Sequence, residues 1–458
     1  MESIWSEQIE IPKRKPLKEN ISVHTVVIGA GMAGILTAYL LKKKGIDVVV
    51  VEAERIAGGQ TKNTTAKITS QHGLLYDELI RKAGRGRAEM YAAANEDAIR
   101  MYEEIIREEK ISCRFQRVPS YLYAVTGEGR EKLKKEEKAA GMLGIAARFL
   151  NADEITELPF PIEGALCFEN QALFQPLEFI RQLAKKIEIF ENTKVLSVKK
   201  HMVITDKGEI RAENIVFAAH YPFLIFPGFY FLRMHQERSY VLALEGQKEL
   251  GGMYYGIDGE KLSFRSAGNS LLLGGGGHRT GKKDWDESPC GCAKQAGCSY
   301  LRQIAEKYYS DAAEEAFWSA QDNMSHDKIP LIGKYSVFRP YWYVASGFNK
   351  WGMTSAMVSA MIICDEICER GGLYKNAFSP QRLLLRMGIG AFLIDAGESI
   401  MGLSRGLFSK KARRCTHMGC RLEWNPEEKS WDCPCHGSRF DEEGNLLNGP
   451  AKKNKKNY

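Results

Sequence analysis

Residues 24–34 read His24-Thr-Val-Val-Ile-Gly-Ala-Gly-Met-Ala-Gly34, an apolar run followed at once by three glycines. An amphipathic stretch then continues to Lys44, where Gly45 ends it. The next apolar run, Val48–Val51, is followed directly by Glu52. These patterns predict a strand, a glycine turn, a helix and a second buried strand.

The spacing of these glycines is typical of a turn that binds a dinucleotide. Gly29 permits the tight turn, Gly31 lets the backbone approach a pyrophosphate at the helix N-terminus, and Gly34 lets helix and strand pack closely. Glu52 can accept hydrogen bonds from ribose hydroxyls. We therefore predict that these four residues bind a cofactor. The alternative is a glycine-rich turn that holds no ligand.

A second motif lies near the carboxyl end, where Cys415-Thr-His417 is followed, after fifteen residues, by Cys433-Pro-Cys435-His436. Two cysteines and two histidines are the ligands of an asymmetric [2Fe–2S] cluster, with thiolates on one iron and imidazoles on the other. A structural zinc site also takes two Cys and two His, but usually groups Cys with Cys and His with His. We predict cluster ligands at Cys415, His417, Cys433 and His436.

These boxes resemble the Rieske pattern, and Asn448-Gly449-Pro450-Ala451 is similar to the proline loop that covers a Rieske cluster. The resemblance implies that Cys420 and Cys435 clamp the two ligand loops, and the sequence leaves open whether they form a disulfide. No alternating strand pattern fits between Ser404 and Arg414. The Rieske module is therefore expected to be minimal, with its histidine edge covered by the rest of the protein.

The remainder resembles the D-amino-acid-oxidase-like family of FAD enzymes, in the segments 53–73, 193–195, 214–219, 328–333 and 343–354. The resemblance selects FAD over NAD, and the most similar members join such an oxidoreductase to a carboxy-terminal Rieske module. It implies that a helix beginning near Gly352 points at the flavin pyrimidine ring, where a helix dipole stabilises anionic reduced flavin. Implied cofactor-binding residues are Arg55, Val195, Gly347, Gly352, Met353 and Thr354.

The expected fold is α/β: a Rossmann-like FAD-binding domain, an α+β substrate lobe with an antiparallel sheet, and a small Rieske-type iron–sulfur module. A helix is predicted over 84–110, and strands over 121–125, 238–244, 262–265 and 271–274. The oxidoreductase is assigned to residues 21–380, with the FAD lobe from 21–75, 155–225 and 325–375, and the substrate lobe from 76–154 and 226–324. Residues 381–414 are predicted to be a linker, and 415–458 the module.

Composition supports a globular protein of this size, since 44% of the 458 residues are hydrophobic and 26% are charged. No run of eighteen uncharged apolar residues occurs, and residues 1–20 do not read as a signal peptide, so we expect a cytoplasmic protein.

The net charge of +7 concentrates in 410–414 and 452–456. That basic face is either simply solvated, or meets an acidic redox partner or an anionic membrane surface. No aromatic interleaving indicates nucleic acid.

Eleven cysteines do not indicate secretion, because the Rieske boxes take four and most others lie in apolar surroundings. Cys290-Gly-Cys292 and Cys298 could bind a metal, but no fourth Cys or His lies nearby in the sequence. A surface loop with free thiols is favoured.

Catalytic candidates are few, because hydride transfer to a flavin needs a binding cavity and an electrophilic environment more than a strong acid or base. Lys350 could offset charge at the flavin, and Lys67 and His72 could approach the ring; a surface lysine and a core histidine are the alternatives. His278 and Arg279 follow a glycine-rich strand, where Arg279 could hold a substrate carboxylate. Asn323 stands where some family members attach flavin through cysteine, so noncovalent FAD is expected.

We therefore expect an FAD-dependent oxidoreductase that oxidises an amine or similar small reductant. It would pass electrons singly through the Rieske cluster to an acceptor protein or quinone. One alternative is a reductase with reversed electron flow. Another, from a different class, is a redox sensor whose cofactors set conformation without turnover.

Overall fold

The computed structural model describes residues 2–282, 297–382, 386–408 and 413–455. Cys290 and Cys292 lie outside these residues. The helices are α1 (Ile4–Gln8), α2 (Met32–Lys43), α3 (Tyr76–Ala83), α4 (Arg85–Glu108), α5 (Gly127–Met142), α6 (Pro176–Ala184), α7 (Cys298–Tyr308), α8 (Gly352–Ile367), α9 (Lys375–Phe378) and α10 (Arg386–Phe408).

The strands form three sheets. They are β1 (Ile21–Ile28), β2 (Val48–Val51), β3 (Lys67–Ile68), β4 (Gln116–Ala124), β5 (Ala147–Asn151), β6 (Gly164–Leu173), β7 (Glu188–Phe190), β8 (Val195–Lys199), β9 (Met202–Thr205), β10 (Glu209–Phe217), β11 (Met234–Glu245), β12 (Met253–Gly256), β13 (Ser263–Ala267), β14 (Ser270–Arg279), β15 (Glu314–Ser325), β16 (Leu331–Ser336), β17 (Arg339–Ser346), β18 (Glu423–Asn425), β19 (Ser430–Asp432), β20 (Arg439–Phe440) and β21 (Leu446–Asn448).

The first sheet has the order β16-β17-β10-β1-β2-β7, with β8 and β9 attached beside β10. Its five central strands, β17 to β7, run parallel. All four residues of β2 are buried, as expected for a parallel strand covered on both faces. Helices α2 and α8 pack against each other on this sheet. The Rossmann-like prediction is confirmed.

The second sheet has nine strands in the order β15-β11-β14-β13-β12-β4-β6-β3, with β5 beside β6. Every pairing is antiparallel except that of β12 with β4. The sequence predicted β4, β11, β13 and β14, and it predicted α4 to within two residues at each end. An antiparallel sheet over the cofactor region is confirmed.

The carboxyl end differs from the expectation in one respect. The segment predicted as a linker contains α10, whose charged residues Asp395 and Glu398 read in the sequence as interruptions of an apolar run. Both carboxylates are paired with cations of the protein body, as described below. Residues 413–455, here called the cluster module, carry the third sheet, β18-β19-β20-β21, which is antiparallel throughout. Among the described residues, no helix combines the length and apolar character needed to cross a membrane.

Candidate cofactor and redox site

A cavity of about 1290 Å³ lies between the first and second sheets. One end is lined by the first glycine turn, with Gly29, Gly31 and Glu52, and by Val195. The other end is lined by the second turn, from Gly347 to Met353. The carboxyl ends of β1, β2 and β17 meet here, which is where ligands bind in doubly wound sheets.

The first turn depends on the absence of side chains. Gly29 has φ +106°, and a Cβ there would lie 2.6 Å from the Ala218 carbonyl oxygen. A Cβ on Gly34 would overlap the Gly29 carbonyl oxygen. Gly31, the residue before α2, has ordinary φ and would bring a Cβ to 3.2 Å from Thr61 Oγ1. Gly29 and Gly34 are thus required by the backbone, and Gly31 keeps open the space at the start of α2.

Two predicted cofactor residues are already engaged with the protein. The Glu52 carboxylate accepts hydrogen bonds from the Ala30 and Glu54 backbone N–H groups at 2.8 and 3.0 Å, and burial raises its pKa. Arg55 donates from Nη1 to Glu191 Oε2 and from Nη2 to the Ile11 carbonyl, each at 2.6 Å. Both line the cavity, but the Arg55 guanidinium is held by Glu191.

The second turn presents a helix N-terminus to the cavity. Gly347, Asn349 and Lys350 all have φ between +52° and +70°, and Asn349 Oδ1 accepts from the Ser325 N–H at 2.8 Å. No side chain caps α8. The N–H groups of its first turn therefore face the cavity end lined by Gly352 and Met353. Thr354 points away, since its hydroxyl donates to the Thr69 carbonyl at 3.0 Å.

Two lysines line the same cavity in opposite electrostatic settings. Burial lowers the pKa of Lys67 to about 7, and the nearby Arg265 cation contributes to the lowering. Its Nζ donates to the Tyr254 carbonyl at 3.2 Å and to the Ser263 hydroxyl. Burial alone would lower the pKa of Lys350, but the Glu237 carboxylate, 2.8 Å from Nζ, holds it above its usual value. Lys67 is thus poised to lose a proton, whereas Lys350 stays charged.

His72 is a buried, hydrogen-bonded histidine, the alternative weighed from the sequence. Nδ1 lies 2.6 Å from the Tyr91 hydroxyl, and Nε2 lies 2.7 Å from the Thr69 carbonyl. Its ring stacks on Trp351 with centroids 4.9 Å apart, and burial lowers its pKa to about 3. His72 is therefore neutral and supports the second turn through Trp351.

The expectation that Arg279 holds a substrate carboxylate is not what the structure shows. Its guanidinium is paired with Asp395 of α10, and it donates to the carbonyls of Pro434 and Cys435 at 2.9 and 3.1 Å. Strand β14 carries the side chain towards the cluster module rather than into the cavity. His278 does line the cavity, stacked on Tyr240 at 5.8 Å.

Several polar residues around the cavity carried no sequence signal. Asp322 is half-buried, and desolvation of its carboxylate raises its pKa to about 6. His220 is also half-buried, desolvation lowers its pKa to about 4, and its Nε2 has no hydrogen-bond partner among the described residues. Glu237 and Asp322 sit opposite each other on β11 and β15, a pairing that only the strand register reveals. Asn323, which the sequence did indicate, also lines the cavity and donates to the His220 carbonyl at 2.7 Å.

The four predicted cluster residues meet at one end of the cluster module. Cys415 and Cys433 are buried, and the His417 and His436 rings lie edge to face with centroids 5.1 Å apart. Nδ1 of each histidine is buried and has no hydrogen-bond partner in the part of the chain that the structure describes. Burial lowers the pKa of His417 to about 4 and that of His436 to about 3, so both imidazoles are neutral.

The two additional cysteines lie beside this group. The Sγ atoms of Cys420, Cys433 and Cys435 are within 4.8 Å of one another, and Cys420 and Cys435 are free thiols in this structure. Both are buried. The disulfide clamp stays a prediction.

Strands β11 and β15 form a wall between the cavity and part of the cluster module, whose Leu446, Ala451, Lys452 and Lys453 also line the cavity. Along β15, Ala320 and Asp322 line the cavity, whereas Ser319 Oγ lies 3.2 Å from Glu428 and Gln321 donates to the Gly437 carbonyl at 2.7 Å. Successive side chains of a strand point to opposite faces, so the two sites share a sheet one strand layer thick.

Strand β11 repeats this alternation from Glu237 to Ser239. Glu237 and Ser239 line the cavity, as do Tyr240 and Val241, whereas Arg238 donates from Nε to Glu428 Oε1 of the cluster module at 2.9 Å. Glu428 also accepts from Arg439 at 2.7 Å, which makes a buried junction of one carboxylate and two guanidinium groups.

A second charged junction forms around Asp395. One oxygen of its carboxylate accepts from His235 Nδ1 at 2.9 Å and lies 2.6 Å from His326 Nε2, and the other pairs with Arg279. Burial would raise the pKa of Asp395, but these hydrogen bonds hold it well below its usual range. The sequence did not reveal this junction, because its members come from four separate segments.

The sequence matches the FAD dependent oxidoreductase (DAO) family over residues 24–366, and the Rieske [2Fe-2S] domain over residues 405–458. This chain is a member of the DAO family of oxidoreductases. A protein similar to this chain is YhfW of Bacillus subtilis (strain 168), which is named as a Rieske 2Fe-2S iron-sulfur protein. It is 34% identical over 503 residues, covering 99% of this chain and 96% of that protein.

Solved structures share the fold of the oxidoreductase part. Glycine oxidase from Geobacillus kaustophilus superimposes with a TM-score of 0.66 at 16% identity, over 79% of this chain and 99% of that one. L-proline dehydrogenase from P. horikoshii gives 0.65 at 17% identity, over 80% and 98%.

The residues of this oxidoreductase fit both groups that its families bind. The side-chain-free turn at Gly29, Gly31 and Gly34 leaves room for a pyrophosphate at the start of α2, as FAD requires. Two buried thiols, with the two unpartnered histidine Nδ1 atoms, form the donor set of an asymmetric [2Fe–2S] cluster. Within the described residues, the two histidine nitrogens have no other hydrogen-bond partner.

Proposed function

We propose that this oxidoreductase dehydrogenates an amine or amino acid in the cavity and passes the electrons, one at a time, through the Rieske cluster to an external acceptor. The observation that carries the proposal is the wall of β11 and β15, whose alternate side chains face the cavity and the cluster module. A cluster placed one sheet away from a flavin cavity is suited to electron transfer between them.

When bound, FAD accepts a hydride and the [2Fe–2S] cluster carries single electrons. The chain's own residues would prepare the substrate. An amine is protonated in water and must lose that proton before a hydride can leave its carbon. Lys67, which lines the cavity with a pKa of about 7, can accept the proton as its neutral form.

Lys350 has a different role in this scheme. Its ammonium group is fixed by Glu237, and it occupies the turn immediately before α8. A fixed positive charge next to an uncapped helix N-terminus stabilises negative charge that develops in the cavity.

The amine class is also supported by the fold relatives, which are named for glycine, proline and L-amino acids. The four free cysteines among the described residues that lie outside the Rieske boxes, Cys113, Cys167, Cys364 and Cys368, are consistent with a cytoplasmic protein.

The test is anaerobic rapid mixing of the protein, loaded with both cofactors, with a panel of amines and amino acids. We expect flavin absorbance to bleach first and the cluster signal to follow. The His417→Ala variant removes one cluster ligand on the far side of the wall. It should still show flavin bleaching but lose turnover with a one-electron acceptor.

The alternatives give different results. If a reductant such as dithionite reached the cluster before the flavin, and the flavin then reduced a substrate, electron flow would be reversed. If both cofactors were reduced without any turnover, a redox sensor would be the better description. Normal turnover by His417→Ala would contradict an electron route through the cluster.

A further inference from the structure

Helix α10 turns an apolar face to solvent. Its large exposed side chains are Ile389, Leu393, Ile394, Ile400 and Met401, with exposed fractions between 43% and 69%. Successive members are four, one, six and one residues apart, which places them along one side of the helix. Gly390 and Gly397 lie on the same side, and the charged residues between Ile389 and Met401, Asp395 and Glu398, lie off it.

The two acidic residues of the same helix face inward. Asp395 is paired with Arg279 and with two histidines, and Glu398 Oε1 lies 2.7 Å from Lys282 Nζ. Turning the helix over would expose its apolar side to the protein but leave these cations without their carboxylates, at a high electrostatic cost. The outward apolar face is therefore fixed by the ion pairs beneath it.

A neighbouring loop extends this face. Ile225, Phe226, Phe229 and Leu232 are exposed by 43% to 62%, and the turn Tyr230–Leu232 packs on α10. We call α10's exposed side chains and this loop the apolar patch. Contiguous exposed apolar surface marks a binding surface.

The apolar patch borders the cluster. The ring of Phe231 lies edge-on against His436 and His417, with centroids 5.6 and 6.5 Å apart. At the other end, Arg421 N–H donates to the Gly402 carbonyl of α10 at 3.2 Å. Whatever covers the patch therefore lies beside the histidine edge of the cluster.

Positive charge surrounds the same edge. Arg414, Lys452 and Lys453 of the cluster module are exposed, and Arg413 and Lys455 lie nearby. Lys452 Nζ is 5.3 Å from the Phe223 ring, which is two residues before the exposed Ile225. Apolar side chains flanked by cations match the surface of an anionic bilayer, which offers acyl chains below a layer of negative headgroups. A second copy of the same surface would instead oppose cation to cation.

We propose that the apolar patch and the exposed cations of the cluster module dock this protein on an anionic phospholipid bilayer. Helix α10 then lies parallel to the membrane plane, because its inner side is held to the protein by Asp395 and Glu398. This docking brings the histidine edge of the cluster to the membrane surface. It goes beyond the proposed function, and its test does not depend on catalytic activity.

The experiment is vesicle flotation of the full chain with both cofactors bound. We expect binding to vesicles of equal parts phosphatidylcholine and phosphatidylglycerol, and much weaker binding to phosphatidylcholine alone. Leu393→Ser with Ile394→Ser should lower the partition coefficient at least tenfold. Lys452→Glu with Lys453→Glu should remove the preference for phosphatidylglycerol.

The matched control replaces two comparably exposed side chains on other elements, Met142→Ser with Leu373→Ser, and should bind as the wild type does. Absorbance of FAD and cluster confirms that each variant is folded. The proposal is overturned if the wild type stays with neither vesicle, or if the Leu393/Ile394 variant floats like the wild type. A wild-type dimer that the same variant converts to monomers, without vesicle binding, would assign the patch to a second copy of the chain.

Discussion

The two cofactor regions of this protein depend on different kinds of interaction. The cavity is shaped by backbone: two glycine turns and two helix N-termini, with a few fixed charges at its edge. The cluster module is joined to the rest by buried charge, at the Glu428 and Asp395 junctions. A backbone site fails when atoms are added, and a charged junction fails when one charge is removed. This contrast predicts which substitutions each region tolerates.

The largest effect is expected from adding volume to the first turn. Gly34→Val would drive side-chain atoms into the Gly29 carbonyl, and neither backbone segment can move without separating α2 from β1. We expect loss of FAD together with lowered thermal stability. Gly31→Val meets only the Thr61 side chain and should lose FAD while the apoprotein melts near the wild-type temperature. Absorbance spectra and thermal denaturation check both variants. A yellow Gly31→Val protein would contradict the predicted pyrophosphate position.

Removing one charge tests the other side of the comparison. Glu428→Gln leaves Arg238 and Arg439 buried without their shared carboxylate, and breaking a buried pair costs about 3–5 kcal/mol. We expect the cluster module to loosen while FAD stays bound. Limited proteolysis measures this directly, and Glu442→Gln, an exposed substitution in the same module, serves as control.

The Glu428 junction also predicts a pH dependence. Burial would raise the pKa of Glu428, but Arg238 and Arg439 lower it to about 2, below its ordinary value. The junction therefore contributes full stability above the ordinary glutamate pKa and loses it as pH falls towards about 2. Cluster-module release measured at decreasing pH should show this acid transition in the wild type and not in Glu428→Gln.

A smaller effect, on catalysis, is expected from Lys67, a charged residue that lines the cavity formed by the two glycine turns. If Lys67 accepts the substrate proton, kcat/KM should rise with pH through about 7 and level off above it, because the neutral amine is the active form. Lys67→Met should lower the plateau about 100-fold, the lower end of the range for a lost general base. Lys62→Met, at a half-buried lysine that pairs with Glu2 and does not line the cavity, is the control. An unchanged profile in Lys67→Met would assign the proton transfer elsewhere.

The smallest effect concerns the potential of the cluster. Ser438 is fully buried next to the ligand loops, and Phe440 is buried on β20 without a hydroxyl to donate. Each hydrogen bond to the cluster sulfurs stabilises the reduced form by about 1 kcal/mol, or about 40 mV for one electron. Ser438→Ala should therefore lower the potential and Phe440→Tyr should raise it, as measured by redox titration. No shift in either variant would remove hydrogen bonding as the controlling factor.

Short sequence patterns correctly predicted those features of the fold that depend only on adjacent residues. The strands at 21–28 and 48–51 and the turn between them follow from a few adjacent residues, and the cluster ligands follow from the spacing of two short boxes. Arg279 was misplaced because its partner, Asp395, lies 116 residues away in the sequence. Helix α10 was missed because its carboxylates, Asp395 and Glu398, face the protein and its apolar residues face solvent. A surface helix normally has the opposite arrangement. The roles of Glu237 and Asp322 depend on the register of β11 with β15, which no short stretch of sequence specifies.

The alternation along β15 constrains how this protein can evolve. Ser319 and Gln321 serve the cluster module, whereas Ala320 and Asp322 serve the cavity, in strict succession. An insertion or deletion of one residue within this strand would exchange the two sets, because it moves every following side chain to the opposite face. Such a change would damage both halves at once. Descendants of this gene can therefore vary the length of their surface loops, but lineages that keep both halves should inherit β15 without gaps.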